Sequence, residues 1–163
     1  MLGKDKGRVI TMIFSRAFAG IFWYRMDRGL YLVTGKKYRF FRIFFTPFFY
    51  LIQAYSNVDI HYKAAIGPGL LILHPSAGVV VSGQAIVGEN LTLTGGNIIG
   101  MSATEGLFLI GNNCTLGANA CIIGPLKLNN NISIGAMACV VKSFTEDNLT
   151  LVGVPAKPVN STI

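Results

Sequence analysis

A six-residue repeat sets the strongest limit on how this chain can fold. From residue 110 the sequence divides into the units IGNNCT, LGANAC, IIGPLK, LNNNIS and IGAMAC, and the next unit opens at Val140. The leading residue of every unit is aliphatic, and glycine or asparagine often follows it. Six residues suffice for one short strand and a turn, but such a unit cannot bury its apolar side alone. The repeat therefore predicts a solenoid of stacked units with the aliphatic residues pointing inward.

The same spacing extends upstream and predicts a β-structured domain over residues 57–163. The spacing slips twice, between residues 72 and 81 and between residues 99 and 110, and a slip marks a place where the chain leaves the wall. Aromatic residues nearly vanish after residue 62, as a narrow interior requires. We interpret the three cysteines as small wall residues rather than metal ligands, and we predict no metal site. Upstream units open at Ile60, Ile66, Ile72, Val81, Val87, Leu93 and Ile99.

The segment before the repeat has a different chemistry. Residues 1–55 hold ten Lys or Arg and two acids (net +8), whereas residues 56–163 hold four Lys or Arg and five acids (net −1). Fifteen of the eighteen aromatic residues also precede residue 56. We predict a basic, aromatic, helical N-terminal region over residues 1–56, with a second helix capped by Thr46 and entered through Pro47. An apolar stripe at helical spacing marks the first helix: Ile10, Phe14, Phe18, Ile21 and Phe22.

Two interpretations of this basic region remain open. Its aromatic faces pack on the rest of the protein while its charges are solvated, or residues 1–55 rest peripherally on an anionic membrane. No recognised nucleic-acid-binding module is present, so we expect no nucleic-acid partner. An odd number of unpaired cysteines favours a reducing compartment. We therefore expect a cytoplasmic protein, with attachment to the inner face of the cytoplasmic membrane as the alternative.

One stretch suggests a family. The repeat resembles that of the hexapeptide-repeat acyltransferases, and the ending LVGVPAKPV is similar to the closing motif of many of these enzymes. Within that superfamily, VDIHYKAAIGPGLLILHPSAGVVV is similar to the segment of serine acetyltransferases that carries their catalytic dyad. The resemblance implies a left-handed parallel β-helix of about four to five coils. It also implies acetyl-CoA as co-substrate and a homotrimer with CoA bound between subunits.

The resemblance assigns a role to one of the two histidines. His74 follows Asp59 by fifteen residues, which matches the spacing of the family's dyad. His74 would be the general base that takes the proton of an acceptor hydroxyl as it attacks the thioester. Asp59 would hold the imidazole and stabilise its charged form. We expect the other histidine, His61, to be structural and to point outward.

Further positions match the family's donor site. The Gly100 amide would donate to the thioester oxygen, and Ala118 and Ala136 would contact the pantetheine arm. Lys142 and Lys157 match basic positions near the nucleotide.

The acceptor half of the family's site is not matched. The loop GMSATEGLFL lacks the histidine and arginine with which serine acetyltransferases grip the serine carboxylate. We therefore expect an O-acetyltransferase whose acceptor is a sugar of a bacterial surface polysaccharide. Two alternatives stay open, a serine O-acetyltransferase of cysteine biosynthesis and a non-catalytic trimeric scaffold.

Overall fold

A computed structural model describes residues 14–103 and 105–159 of the chain. It begins with two helices, α1 (Arg16–Thr34) and α2 (Tyr38–Ser56), joined by a 3₁₀ turn at Gly35–Lys37. The chain then enters a stack of short strands that continues to residue 159. A second 3₁₀ turn, Pro75–Ala77, interrupts the first coil of that stack.

The strands form three flat, parallel sheets, one for each side of a β-helix of about four turns. Each full coil contributes one strand to each sheet, and β15 alone runs antiparallel, against β14. The predicted mainly β fold, a parallel β-helix with a helical N-terminal region, is confirmed. The first face holds β1 (Val58–Ile60), β4 (Val79–Val81), β7 (Asn97–Met101), β10 (Cys121–Gly124) and β13 (Cys139–Val140). The second face holds β2 (Ala65–Ile66), β5 (Ile86–Val87), β8 (Phe108–Ile110) and β11 (Leu126–Leu128). The third face holds β3 (Leu71–Ile72), β6 (Thr92–Leu93), β9 (Thr115–Leu116), β12 (Ser133–Ile134), β14 (Thr150–Val152) and β15 (Lys157–Val159).

The leading residue of each six-residue unit points into the coil, as predicted. From residue 110 onward every one of them is buried, with at most 2% of its surface exposed. Registers align these residues between coils, so that Ile122 lies opposite Ile99 on one side and Val140 on the other. The small residues near the turns, including Cys114, are buried as well. The aliphatic columns thus form one continuous core along the β-helix axis.

Asparagines stack at the corner between the second and third faces. Asn90, Asn113, Asn131 and Asn148 all adopt the left-handed backbone conformation, with φ between 55° and 62°. The side-chain amides of the first three each donate to the side-chain oxygen of the asparagine one coil further along, over 2.9, 3.1 and 3.0 Å. Asparagine tolerates this conformation better than other non-glycine residues. The corner therefore uses one residue type both to turn the chain and to connect the coils.

Helix α1 closes the first end of the β-helix. The Tyr24 hydroxyl donates to the Ala64 carbonyl over 2.9 Å and accepts from the Ile66 amide over 3.2 Å. Gly20 lies directly on Val58, since a Cβ at that glycine would come within 2.6 Å of the valine Cβ. Tight contact and a buried hydrogen bond therefore fix the helix on the first coil.

A buried carboxylate joins the two helices. The Asp27 side chain accepts hydrogen bonds from the Tyr38 hydroxyl and, over 3.3 Å, from Arg42 Nε. Burial and the neighbouring carboxylate raise the pKa of Tyr38 above its ordinary value. Tyr38 and Arg42 of α2 are thus both held against α1 by hydrogen bonds to Asp27.

The prediction that Thr46 and Pro47 begin a helix is wrong. Both lie inside α2, which runs unbroken from Tyr38 to Ser56. The Thr46 hydroxyl donates to the Arg42 carbonyl over 2.8 Å instead of capping a helix end. Pro47 is exposed, so the carbonyl that loses its amide partner there can reach water. Ile10 of the predicted stripe lies outside the described residues.

Helix α2 ends where the repeat begins. Asn57 adopts a left-handed conformation and donates its amide to the Gln53 carbonyl, and β1 starts at the next residue. The two parts pack on each other, so the division into domains at residues 1–56 and 57–163 stays a prediction. Across the two described stretches, neither helix combines the length and the hydropathy that crossing a bilayer requires.

The asparagine ladder can be tested at Asn113. Asn113→Ala removes two side-chain hydrogen bonds and places alanine, which tolerates positive φ less well than asparagine, at this position. We therefore expect a loss of about 2 kcal/mol in unfolding free energy. Asn113→Gly removes the same bonds but accepts the dihedral, so it should lose roughly half as much. Denaturant unfolding measures both. Equal losses would show that the dihedral plays no part.

Candidate active site at one corner of the coil

The corner between the third and first faces collects three of the predicted site residues: His74, Ala118 and Ala136. Backbone hydrogen bonds stack this corner from coil to coil. The Gly96 amide donates to the Gly78 carbonyl over 2.7 Å, and the Met137 amide donates to the Ala118 carbonyl over 2.9 Å. We call this the site corner; it comprises residues 74–78, 94–96, 117–119 and 135–137.

The first sequence slip is the turn that exposes His74. The His74 amide donates to the Thr94 carbonyl over 2.9 Å, and its carbonyl accepts from Ala77 over 3.2 Å. These bonds anchor the main chain while the side chain projects outward and is exposed. Within residues 14–103 and 105–159 the imidazole has no hydrogen-bond partner. Glycine is required beneath it, because a Cβ at Gly95 would lie 2.5 Å from the His74 oxygen.

Asp59 lies on β1 at the floor of a neighbouring cleft. Its side chain is exposed on the first face, and its strand partner in the next coil is Val80. The cleft has a volume of about 740 Å³ and lies between the end of α2 and the turn that follows His74. The structure shows no hydrogen bond or ion pair between the Asp59 carboxylate and the His74 imidazole among the residues it describes. Their action as a dyad stays a prediction. The cleft is lined by Tyr50, Gln53, Ala54, Asn57, Asp59 and residues 76–80.

Two parts of this site are missed by sequence reasoning. The wall formed by Tyr50 and Gln53 depends on where α2 ends over β1, which the sequence does not reveal. Asn97 is different, since it is a buried polar residue at an inward position whose counterpart in the preceding coil is Val79. Its side chain accepts from the Gly95 amide over 2.8 Å and donates to the Gly117 carbonyl over 2.7 Å. An asparagine at an aliphatic position was the signal that could have identified this brace.

The small residues of the site corner have a packing reason. A Cβ at Gly117 would approach the Ala136 nitrogen to 2.6 Å. Ala118 and Ala136 themselves are exposed, so they present methyl groups and backbone to solvent. Gly100 lies on β7 opposite Ile123, on the face that adjoins this corner. Their predicted contacts with an acyl donor stay predictions.

The two lysines lie near the end of the β-helix. Lys142 follows β13 at its end away from the site corner, and its Nζ lies 5.3 Å from the centre of the Phe144 ring. Lys157 opens β15 opposite Val152. Both are exposed. The structure does not bring either lysine into contact with His74.

His61 lies away from the site corner. Its ring stacks on Tyr62 with centroids 4.5 Å apart, and its Nδ1 accepts from the Lys63 amide over 3.1 Å. The main cause that lowers the pKa of His61 is the partial desolvation of its ring, and the charges of Arg42 and Lys63 lower it further. His61 is therefore an exposed histidine that stacks on Tyr62, and its surroundings favour the neutral form of its ring. In the described parts of the chain no group of three His, Cys, Asp or Glu side chains is placed to hold a metal ion.

The sequence and the fold were compared with those of known proteins. No protein-family model matches the chain. A serine acetyltransferase from Synechocystis sp. is 38% identical over 122 residues, which are 70% of this chain and 48% of that protein. The crystal structure of Neisseria gonorrhoeae serine acetyltransferase superposes with a TM-score of 0.77 at 31% identity, covering 94% of this chain and 59% of that one. A serine acetyltransferase from Brucella abortus strain S19 in complex with coenzyme A superposes with a TM-score of 0.71 at 27% identity, covering 90% and 56%.

The structural match to the Neisseria gonorrhoeae protein covers 94% of this chain, so it includes most of the helices and most of the β-helix. The chain spans less than half the length of the curated relatives it matches. The chain therefore resembles serine acetyltransferases in sequence and in fold, and it shares their parallel β-solenoid.

Proposed function

We propose that this protein is an acetyl-CoA-dependent O-acetyltransferase with His74 as its general base. The observation that supports this most is the His74 imidazole, which is exposed and has no hydrogen-bond partner among the described residues. It lies at the corner of a β-helix that is similar to those of serine acetyltransferases. The corner backbone fixes the position of the histidine without using its ring nitrogens. Such a group is free to bind and deprotonate an incoming hydroxyl.

The chemistry needs one proton shuttle. A His74 ring nitrogen takes the acceptor's hydroxyl proton while the oxygen attacks the thioester carbonyl. The tetrahedral intermediate then expels the CoA thiolate, which takes the proton back from the imidazolium, so atoms and charge balance. Asp59 stabilises that imidazolium when the acceptor fills the cleft between them. The donor's carbonyl oxygen would be met by the Gly100 amide.

The donor would lie along the site corner. Ala118 and Ala136 are exposed there, and the backbone beside them would contact the pantetheine arm. Lys142 and Lys157 would meet the nucleotide phosphates from the last coil. The structure in complex with coenzyme A among the neighbours supports acetyl-CoA as co-substrate. We also propose a homotrimer, in which a second subunit completes the donor site.

Serine is the acceptor that the comparisons favour. The curated relatives are named serine acetyltransferases, and a neighbouring Neisseria gonorrhoeae structure is a complex with serine. The sequence-based preference for a surface polysaccharide finds no support among them. One observation keeps a sugar hydroxyl as second candidate. Residues 101–107 contain no Arg, Lys or His, and their one charged residue is Glu105, whereas a bound carboxylate needs a cationic or amide partner.

Replacing the base tests the proposed chemistry. His74→Ala should leave the fold intact and lower the turnover number by about 10²- to 10⁴-fold, the usual share of a general base. His61→Ala is the matched control and should keep the parent rate, because His61 lies away from the corner. Asp59→Asn should lose less than His74→Ala. Release of free CoA from acetyl-CoA measures all three, and a parent rate for His74→Ala would refute the assignment.

The acceptor is tested by turnover on a panel at equal concentrations. We expect L-serine to be acetylated with a higher kcat/KM than free monosaccharides or polysaccharide fragments. Acetylation of a sugar with no turnover of serine would establish the second candidate. Failure to release CoA with any acceptor would instead favour the non-catalytic scaffold.

A further inference from the structure

The two helices expose an apolar surface that no described residue covers. Along α1 the exposed side chains recur every four residues from Phe14, just before the helix, to Leu30. Along α2 the exposed fraction reaches 83% at Phe44. We call this surface the helical platform. It comprises Phe14, Phe18, Phe22, Met26 and Leu30, with Phe40, Phe41, Phe44, Phe45, Phe48 and Leu51.

The helical platform is unlike the rest of the surface. The exposed large apolar residues on the described β-helix are aliphatic residues or methionine, whereas eight of the eleven side chains of the helical platform are phenylalanine. Contiguous apolar patches of this extent on a protein surface mark contacts with another protein or with lipid. The exposed aromatic side chains therefore form a surface that we expect to contact a partner.

The charge of the helices is of one sign. Residues 14–56 contain seven Lys or Arg and one acid, Asp27, which is net +6. Asp27 is 4% exposed, and its carboxylate accepts hydrogen bonds from Tyr38 and Arg42. No negative charge of the helices therefore reaches solvent. The exposed cations lie among aromatic side chains, as on proteins that bind membrane interfaces.

The cations and the apolar residues share one cavity. A cleft of about 650 Å³ beside the inter-helix turn is lined by Lys36, Arg39 and Lys63 together with Phe40 and Ile43. Within the described residues these three cations have no hydrogen-bond or ion-pair acceptor on a side chain. An anion entering this cleft would meet several positive charges at the edge of the aromatic surface. The adjacent placement suits a lipid, whose phosphate and acyl chains are joined.

We infer that the helical platform docks peripherally on a membrane that contains anionic lipids. Aromatic side chains of α2 enter the boundary between headgroups and acyl chains, while Lys36, Lys37 and Arg39 bind the phosphates. A second copy of this chain is the less favourable occupant, because it would bring a helical pair of net +6 against another. The inference is independent of the proposed acetyl transfer.

The chain carries its own reporter for this contact. Trp23 is the one tryptophan of the sequence, and its ring packs edge-on against Phe48 with centroids 4.8 Å apart. The full-length protein would be mixed with phosphatidylcholine vesicles with and without phosphatidylglycerol, and bound protein measured by co-sedimentation. Vesicles with bromine-labelled acyl chains would quench Trp23 on docking. We expect binding and quenching with phosphatidylglycerol vesicles at low salt, and release as salt rises.

Matched variants separate charge from apolar contact. Lys36→Glu combined with Arg39→Glu should weaken vesicle binding at least about tenfold, whereas Lys127→Glu on the β-helix should leave it unchanged. Phe40→Ser combined with Phe44→Ser should abolish the quenching of Trp23, and Ile86→Ser, also an exposed apolar position, should not. Circular dichroism and light scattering check the fold and the oligomeric state of each variant.

Three results would overturn the inference. The first is no binding of the parent to phosphatidylglycerol vesicles at low salt. The second is binding that the charge and aromatic variants leave unchanged. The third is a parent that ignores vesicles but dissociates into smaller oligomers when Phe40 and Phe44 are replaced, which would identify a second copy as the occupant. None of these results would bear on the proposed acetyl transfer, which is tested separately by release of CoA from acetyl-CoA.

Discussion

Backbone hydrogen bonding between successive coils is the constraint on which the rest of this structure depends. Strands of two to five residues cannot satisfy their own amides and carbonyls, so each coil relies on the coils above and below it. The parallel register also places equivalent residues directly over one another, as with Ile99, Ile122 and Val140. Any residue that is inserted must therefore leave the wall, because keeping it would shift every later column out of the core.

The candidate site is a direct result of that constraint. The chain between β3 and β4 is longer than the corresponding turns above it, and the excess forms the 3₁₀ turn after His74. Glycines above make room for it, and Asn97 ties the adjacent corner residues together from inside. The imidazole is exposed on a rigid support, which is the arrangement that a general base requires. The asparagine corner differs, because its side chains hydrogen-bond to one another from coil to coil.

The sequence predicts the repetitive part of the molecule well because one aliphatic residue per unit determines which side faces inward. It also identifies the exposed turn at His74, since an interruption of a strict period is visible without coordinates. It fails where the outcome depends on packing between distant segments. Pro47 resembles a helix start, but exposure of that side of α2 allows the helix to continue through it. The α2 wall of the cleft depends on how the helices sit on the first coil, for which the repeat carries no signal.

The central claim is that the site corner holds the acyl donor with its thioester beside His74. A crystal structure of the protein with CoA bound tests it most directly. The account predicts the pantetheine arm along Ala118 and Ala136 and the sulfur close enough to His74 for an acceptor oxygen to fit between them, with reacting atoms about 3 to 3.5 Å apart. CoA bound on another face of the β-helix, or with its sulfur directed away from His74, would contradict the account.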